Sequence, residues 1–549
     1  MKLKIGHYLF LLLAAAICNY ANSYKIGILI PDISRSQLLF NQRMGEVLAD
    51  AGHNITLIRL QTLENDGKGL KLSSRPTIDE WIINGFVEGV DYEWIKEKQA
   101  ESAFNDESAW AFLSKEKRHL LSVWMKTFTD ACEQMITDKE FMTKFEAAEF
   151  DVVFTHMYDF CPIGMQHLGK AKTWVWVNSG ALMDYVAYYM GLPVPPSYAA
   201  PMMTDAHDSL TFYQRFKSIL GHTLSPLFSK KMLADPQTEI FRKHFGSSFP
   251  HLTEIAKNAP LVFVNSNELY DLPRPTLHKI VNIGGLGMKA ASSKPLPKEY
   301  SELIEKVESV VVFSFGSVAN ATLMPMEWKN AFMAAFSRFP KTQFFIRYEG
   351  SDIQAPKNVH FSHWLPQVDL LQHPKTRAFI THGGFNSLQE AILASKPIIS
   401  IPLFGDQFRN GRIAEKHGFG IVLTKSELNE NAIFKALEKV LTDSKYSEAV
   451  KIMNKMVLNK PISPETLLVK WTEFVAEFKT LENLKPMGAS LDAITYYNLD
   501  VYAMVATVTA IILFVIWKIF KVVFCKIGSV FGFFNLSPTK NVKNSKKVD

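Results

Sequence analysis

Cysteine is scarce, four in 549 residues. Cys18 lies in an apolar leader and Cys525 beside a second apolar run, so only Cys132 and Cys161 belong to the body of the chain. They can form one disulfide or stay as two thiols. No metal-ligand spacing accompanies them. A basic groove interleaved with aromatics is also missing. The net charge is +6, seven lysines follow Trp517, and the remainder is close to balanced. That excludes nucleic-acid binding. No Gly-x-Gly-x-x-Gly turn follows the first apolar run, which argues against a nicotinamide-dependent oxidoreductase. No internal repeat is present, and the polar tail is the one low-complexity tract.

Two apolar segments frame the chain. Lys2 and Lys4 precede an apolar run over 8–18, with small residues at Ala21 and Ser23. This predicts a secretory signal peptide over 1–23; the run is short for an uncleaved anchor, the alternative. Residues 501–517 are uncharged and apolar, which predicts a transmembrane helix over 499–524 with Lys518 and Lys521 able to snorkel. Lysines in the tail, 525–549, place that end in the cytosol and everything before the span in the lumen. Asn54-Ile-Thr56 and Asn320-Ala-Thr322 are then lumenal glycosylation sequons, the first abutting a predicted strand.

Between these segments the length calls for two cores. Apolar runs at 26–30, 55–60, 150–154, 173–177 and 261–265 read as buried parallel strands. A helix with Phe40, Met44, Val47 and Leu48 on one face lies between the first two and stops at Gly52. Residues 61–145 read as helices and insertions, 191–201 as a proline-rich loop, and 212–228 as a core helix with membrane contact as the alternative. A first α/β domain therefore spans 24–288, followed by a linker over 289–305. A second, over 306–465, has strands at 309–315, 343–347, 359–361, 378–381, 398–401 and 420–423. Residues 466–498 supply a returning helix and a membrane-proximal segment. The fold class is α/β, two doubly wound parallel-sheet domains facing a cleft.

The most informative stretch is 379–407, FITHGGFNSLQEAILASKPIISIPLFGDQ. A strand ends in the turn His382-Gly383-Gly384, and a helix follows with Phe385, Leu388 and Ile392 on its buried face. His382, Asn386 and Glu390 share another face near the helix start. Glycines admit a ligand to the backbone there, and free N–H groups with the positive dipole end favour phosphate. Asp406 and Gln407 can present a carboxylate and an amide to a polyhydroxylated ligand. A nucleotide-sugar site is the reading these residues support.

Extended to Trp364, WLPQVDLLQHPKTRAFITHGGFNSLQEAI…KPIISIPLFGDQ resembles the signature of the UDP-glycosyltransferase family, in its membrane-bound UDP-glucuronosyltransferase branch. The likeness covers the whole chain, including the 312–317 strand and turn, the Pro196-Ser-Tyr198 loop, the single span, and Lys546-Lys547, similar to a dilysine signal for the endoplasmic reticulum. It implies a GT-B fold with an N-terminal acceptor domain and a C-terminal UDP-sugar domain. It also implies metal-independent, inverting transfer without a cofactor, from UDP-glucuronate or UDP-glucose to a small lipophilic acceptor, in a monomer or a homo- or hetero-oligomer. Carried over, Trp364 would stack on uracil, Gln367 would bond the base or ribose, and Glu390 would hold the ribose hydroxyls. Ser317, His382 and the backbone after Gly383, including Gly384, would hold the diphosphate, with Asn386 close by and Arg347 at the rim. Asp406 and Gln407 would bind the sugar.

The acceptor half departs from the family. A histidine just after the first strand, oriented by an acid at the end of a later one, ordinarily takes the acceptor proton. Here Gln37 and His156 occupy those positions, and an amide has no basic lone pair. Three accounts stand. His156 is the base, oriented by Asp159 or Asp151 while Gln37 positions the acceptor; or the acceptor needs little base, as amines and acidic phenols do; or the chain is a catalytically impaired UDP-sugar-binding paralogue.

Overall fold

The computed structural model describes residues 23–62, 71–73, 75–105, 114–288 and 295–530. The expected leader up to residue 22, part of the linker (289–294) and the lysine-rich end from 531 lie outside these residues. One compact unit extends to Lys485, and a second begins at Pro486.

The first unit holds two wholly parallel sheets. Seven strands form the first: β1 (Lys25–Pro31), β2 (Asn54–Gln61), β3 (Ile78–Asn84), β4 (Val152–His156), β5 (Trp174–Asn178), β6 (Val262–Val264) and β7 (Ile280–Asn282), in the order β3-β2-β1-β4-β5-β6-β7. The second has β8 (Ser309–Ser314), β9 (Thr342–Arg347), β10 (Val359–Ser362), β11 (Thr376–Thr381), β12 (Ile398–Ser400) and β13 (Gly420–Val422), in the order β10-β9-β8-β11-β12-β13. Central strands are buried along nearly their whole length because helices cover both faces; every residue of β1 after Lys25 is buried. Strand order reverses between β1 and β4 and between β8 and β11, and each reversal opens a crevice at the strands' C-terminal ends. Gln37 lies on the helix that follows β1, Arg35–Asp50, and His156 ends β4, whereas the turns after β8 and β11 carry Ser317 and His382.

Four local expectations change. β3 falls within the stretch expected to be helices and insertions. Its sequence, IDEWIIN, is half exposed because it is the sheet's edge, so no continuous apolar run marks it. β4 starts at Val152 and includes His156, because the Asp151 carboxylate accepts the backbone N–H of Lys25 (2.8 Å) just before the strand begins. The end of the expected linker is a helix, Lys298–Glu305, anchored by buried Tyr300 and Ile304. The largest change concerns the helix Phe212–Ser229, expected in the core. Its inward face is Ser218, Pro226 and Ser229, while Phe212 is 80% and Leu224 55% exposed. It packs on the proline-containing loop, where the Ala199 carbonyl accepts from Ser218 Oγ (3.3 Å) and His222 Nε2 (2.7 Å). Such a surface selects small polar partners and leaves the apolar face outside.

The returning helix, Pro464–Phe478, packs Leu468, Val475 and Ala476 into the core of the first sheet beside Ile26 and Phe154. Cys132 and Cys161 form a disulfide (Cα–Cα 5.7 Å) within the other core of that sheet. In the second unit, the helix Leu499–Val530 contains a 29-residue stretch, Leu499–Ile527, long and apolar enough to cross a bilayer.

Candidate functional site

His382 sits where the second sheet's crevice opens. Its ring lies between two glycine backbones: a Cβ on Gly316 would come within 2.6 Å of Cε1, and one on Gly384 within 2.5 Å of Nε2. Gly316 also has φ +77° and Gly383 φ +82°, a left-handed backbone that glycine adopts without strain. Burial holds the imidazole down at about 4, against an opposing hydrogen bond that the ring donates to the Ser314 carbonyl. The ring is therefore neutral at pH 7 and acts through its N–H rather than a charge. Gly384 caps the helix Phe385–Leu393 without a side-chain acceptor, so the helix's first N–H groups are left for a ligand. Ser317 is exposed at the turn after β8. Arg347 is committed elsewhere: Nη1 donates to the Gly316 carbonyl (2.7 Å), Nε to the His363 carbonyl (3.3 Å), and Nη2 faces Glu349 (3.3 Å).

A second group stands at the far rim of this crevice. Gln367 Nε2 donates to Glu390 Oε2 (2.7 Å). Burial raises the Glu390 carboxyl, and Gln367 and Arg43 oppose the shift. Trp364 is 52% exposed, with Arg35 over its ring at 4.3 Å and Arg347 at 5.1 Å. The flat aromatic surface and the adjacent carboxylate suit a base and a ribose. Arg35 and Arg43, from the first sheet's helix Arg35–Asp50, gave no sequence signal, since arginines on a helix usually face solvent.

Asp406 and Gln407 part company. Gln407 Oε1 accepts from the N–H groups of Leu403 (2.8 Å) and Phe404 (3.0 Å), so the amide oxygen builds the turn that presents Asp406. Asp406 Oδ2 accepts from Asn410 Nδ2 (2.9 Å), and its carboxyl is raised by burial. A Cβ on Gly180 would lie 3.7 Å from that oxygen, which brings Asp406 against the loop after β5. Asn386 also reaches the first sheet, accepting from Asn265 Nδ2 (3.3 Å); that nitrogen also donates to the Ser179 carbonyl (2.9 Å). Gln389 completes the clasp, donating to Asn265 Oδ1 (3.0 Å) and accepting from the Gly285 N–H (2.9 Å). The polar run Asn265-Ser266-Asn267 directly after a strand was the available sequence signal for it.

The acceptor positions meet at a residue the sequence did not single out, Tyr158. Gln37 Nε2 donates to its hydroxyl (2.6 Å), and Ser179 Oγ lies 3.2 Å from the same oxygen. Gln37 Oε1 is buried and has no partner among the described residues. Burial pushes the Tyr158 hydroxyl up to about 12, so it stays protonated. His156 is buried, and its Nδ1 accepts the Tyr158 backbone N–H (3.2 Å). Desolvation lowers the ring to about 3. Neither acid proposed to orient it does so. Asp151 lies at the opposite end of β4, bound to the Lys25 N–H and to Lys172 (2.8 Å each). Asp159 turns into the next helix, accepting from the Cys161 N–H (2.8 Å), and burial pushes its carboxyl up to about 7.

Comparison with known proteins was made on this geometry. Residues 30–530 match the family described as UDP-glucoronosyl and UDP-glucosyl transferase. The Caenorhabditis elegans protein ugt-48 is 30% identical over 91% of this chain and 95% of its own length. UDP-glucuronosyltransferase 3A1 of Bos taurus is 28% identical over 87% of this chain and 89% of its own. Among solved structures, the glycotransferase of kitacinnamycin superimposes with a TM-score of 0.56 at 13% identity, covering 84% of this chain and all of its own. CalG4, the calicheamicin glycosyltransferase, gives 0.51 at 16% identity over 83% and 98%. These likenesses establish the two-sheet GT-B fold. The family match runs through both sheets and both crevices, so it does not hang on one motif: the chain is a glycosyltransferase belonging to the UDP-glucoronosyl and UDP-glucosyl transferase family.

Proposed function

We propose that the protein transfers glucuronic acid from UDP-glucuronate, with inversion at C1, to small lipophilic acceptors that give up their proton with little assistance, such as acidic phenols and amines. The observation that carries the acceptor class is the pairing of a glutamine with a desolvated, neutral histidine where a base would stand. Gln37 Oε1, buried and without a protein partner among the described residues, can accept a hydrogen bond from the acceptor's O–H or N–H and aim the nucleophile. It cannot remove the proton. The relatives' names support the choice of glucuronate, and UDP-glucose is the alternative donor.

In this reading Trp364, Gln367 and Glu390 hold the uridine. The N–H groups after Gly384, the neutral His382 and Ser317 receive the diphosphate. Charge that grows on the leaving diphosphate meets these fixed dipoles, which need no reorganisation as the C1–O bond breaks. Asp406 holds sugar hydroxyls close to the Tyr158–Ser179 wall. The apolar helix Leu499–Val530 anchors the chain in the endoplasmic reticulum membrane with both sheets in the lumen, a compartment in keeping with the Cys132–Cys161 disulfide.

The test is turnover by microsomes carrying the full chain. They are given labelled UDP-glucuronate or UDP-glucose and acceptors graded from aliphatic alcohols to acidic phenols and amines. Glucuronide formed on the acidic phenols and amines, and scarcely on alcohols, is expected. Equal turnover of alcohols refutes the acceptor class, product from UDP-glucose alone refutes the donor, and UDP binding without any product favours an impaired paralogue.

A further inference from the structure

The helix Phe212–Ser229 is amphipathic in the reverse sense. Its outward residues Phe212, Phe216, Ile219, Leu220, Leu224 and Leu227 are 43–80% exposed. The residues it turns inward are Ser218, Pro226 and Ser229, and Gly221 approaches Pro201 so closely that a Cβ would stand 2.6 Å from its ring. The outward set therefore follows the helical period and forms one continuous face. Apolar patches of that extent are uncommon on soluble surfaces unless something covers them.

The helix is also firmly placed. Thr211 and Gln214 form a reciprocal capping box at its start, and Ser218 and His222 are bonded to the Ala199 carbonyl. The apolar face is thus held outward and does not belong to a loosely docked segment. Its charges are of one sign. Arg215 and Lys217 are the helix's ionised side chains, it contains no acid, and Lys230 and Lys231 follow it with Asp235 as their partner. Tyr213 at one end supplies a ring of the kind that settles at headgroup depth.

We infer that the helix Phe212–Ser229 lies in the interface of a lipid bilayer, with its Phe216–Leu224 face among the acyl chains and Arg215 and Lys217 on anionic headgroups. Three observations choose lipid as the occupant. The face is continuous and its hydroxyls are few, with Thr223 donating to the Ile219 carbonyl (2.8 Å) and Tyr213 at one end; its flanking charge is wholly basic within the helix; and the same chain bears a helix able to span a bilayer. A protein partner would ordinarily be met by polar groups at the rim of such a face, and the cations offered here fit phosphate headgroups.

Site-directed spin labelling of the full chain tests this. Phe216→Cys and Leu224→Cys are made separately with Cys18 and Cys525 replaced by serine, because Cys132 and Cys161 are already paired. Each is labelled with a nitroxide and reconstituted in phosphatidylcholine–phosphatidylserine vesicles; a label at Glu239, 74% exposed on a neighbouring helix, is the reference. Collisions with oxygen should rise and collisions with a water-soluble nickel complex should fall at both helix positions, together by about threefold or more over the reference. Nickel accessibility equal to the reference would overturn the inference. So would shielding from both probes, which reports a protein surface, or spin–spin broadening, which reports a second copy of the chain. Both positions are solvent-facing in the fold, so the labels do not disturb the core.

Discussion

Replacing His156 by asparagine should leave catalysis nearly untouched, and the expected size of that non-effect follows from the ring's surroundings. An exposed imidazole titrates near 6.5, and desolvation lowers His156 to about 3. At 1.36 kcal/mol per pH unit, placing a proton on this ring costs on the order of 5 kcal/mol more than on a solvated one. A well-placed general base contributes about 10²–10⁴ in rate, roughly 3–5 kcal/mol. The desolvation cost cancels that gain, and no carboxylate stands by to repay it. Asparagine keeps a side-chain acceptor for the Tyr158 N–H, so the turn survives while basicity is removed. In steady-state assays His156→Asn should change kcat/KM by less than about threefold for phenols and alcohols alike. Rates should climb with pH as the acceptor itself ionises, with no limb near pH 6.5 from an imidazole. A loss of about 100-fold or more with UDP affinity unchanged would refute the reasoning and restore His156 as the base.

Three further outcomes follow from the structure. Glu390→Gln removes the carboxylate that we propose holds the ribose, a charged hydrogen bond of about 1.5–3 kcal/mol, so calorimetry should show UDP binding at least tenfold weaker. Cys161→Ser opens a disulfide whose partners are 29 residues apart; loop-closure entropy puts the loss at about 3–4 kcal/mol, read as a lowered thermal midpoint under non-reducing conditions. The buried pair Asp271–Arg409 joins the two sheets' halves, and Arg409→Ala should cost about 3–5 kcal/mol because it strands a buried carboxylate. Burial pushes the Asp271 carboxyl up, but Arg409, Ser266 and Arg274 outweigh it and hold the group below its usual range. The stabilisation from this depressed value is therefore complete above about pH 4 and is lost as pH falls through the lowered value. Acid unfolding of the parent should show that dependence below about pH 4, and Asp271→Asn should flatten it.

Much of the architecture was legible because its causes are local. Uninterrupted apolar runs such as 26–30 and 310–313 read as strands covered on both faces. The glycine turn at 383–384 announces a backbone with a left-handed residue, Gly383, and no room for a side chain at Gly384 beside His382. The cluster of Gln367 against Glu390 and His382 beside the open helix start could be anticipated from one stretch, since nearly all its parts lie within 44 residues of each other, 364–407. Edge strand β3 was hidden, because an edge needs no apolar run. The helix Phe212–Ser229 was misread because helical periodicity marks an apolar face without saying which way it points. That choice was made by a loop carbonyl at Ala199.

The acceptor half divides in the same way. From the residues alone came the two substitutions, Gln37 and His156, and with them the question of the base. What His156 can do depends on groups scattered along the chain: the N–H of Tyr158, the distance of Asp151 at the strand's other end, and the turn of Asp159 toward Cys161. The sequence by itself determined the family, the two sheets and the glycine turn before an open helix start, because short-range pattern encodes strands, turns and helix starts. Tertiary structure alone decided the protonation of His156, the meeting of Gln37 with Tyr158, the Asn265 clasp and the exposure of the 212–229 face. Those are matters of burial and of contact between residues far apart in sequence, and neither is written in any local run.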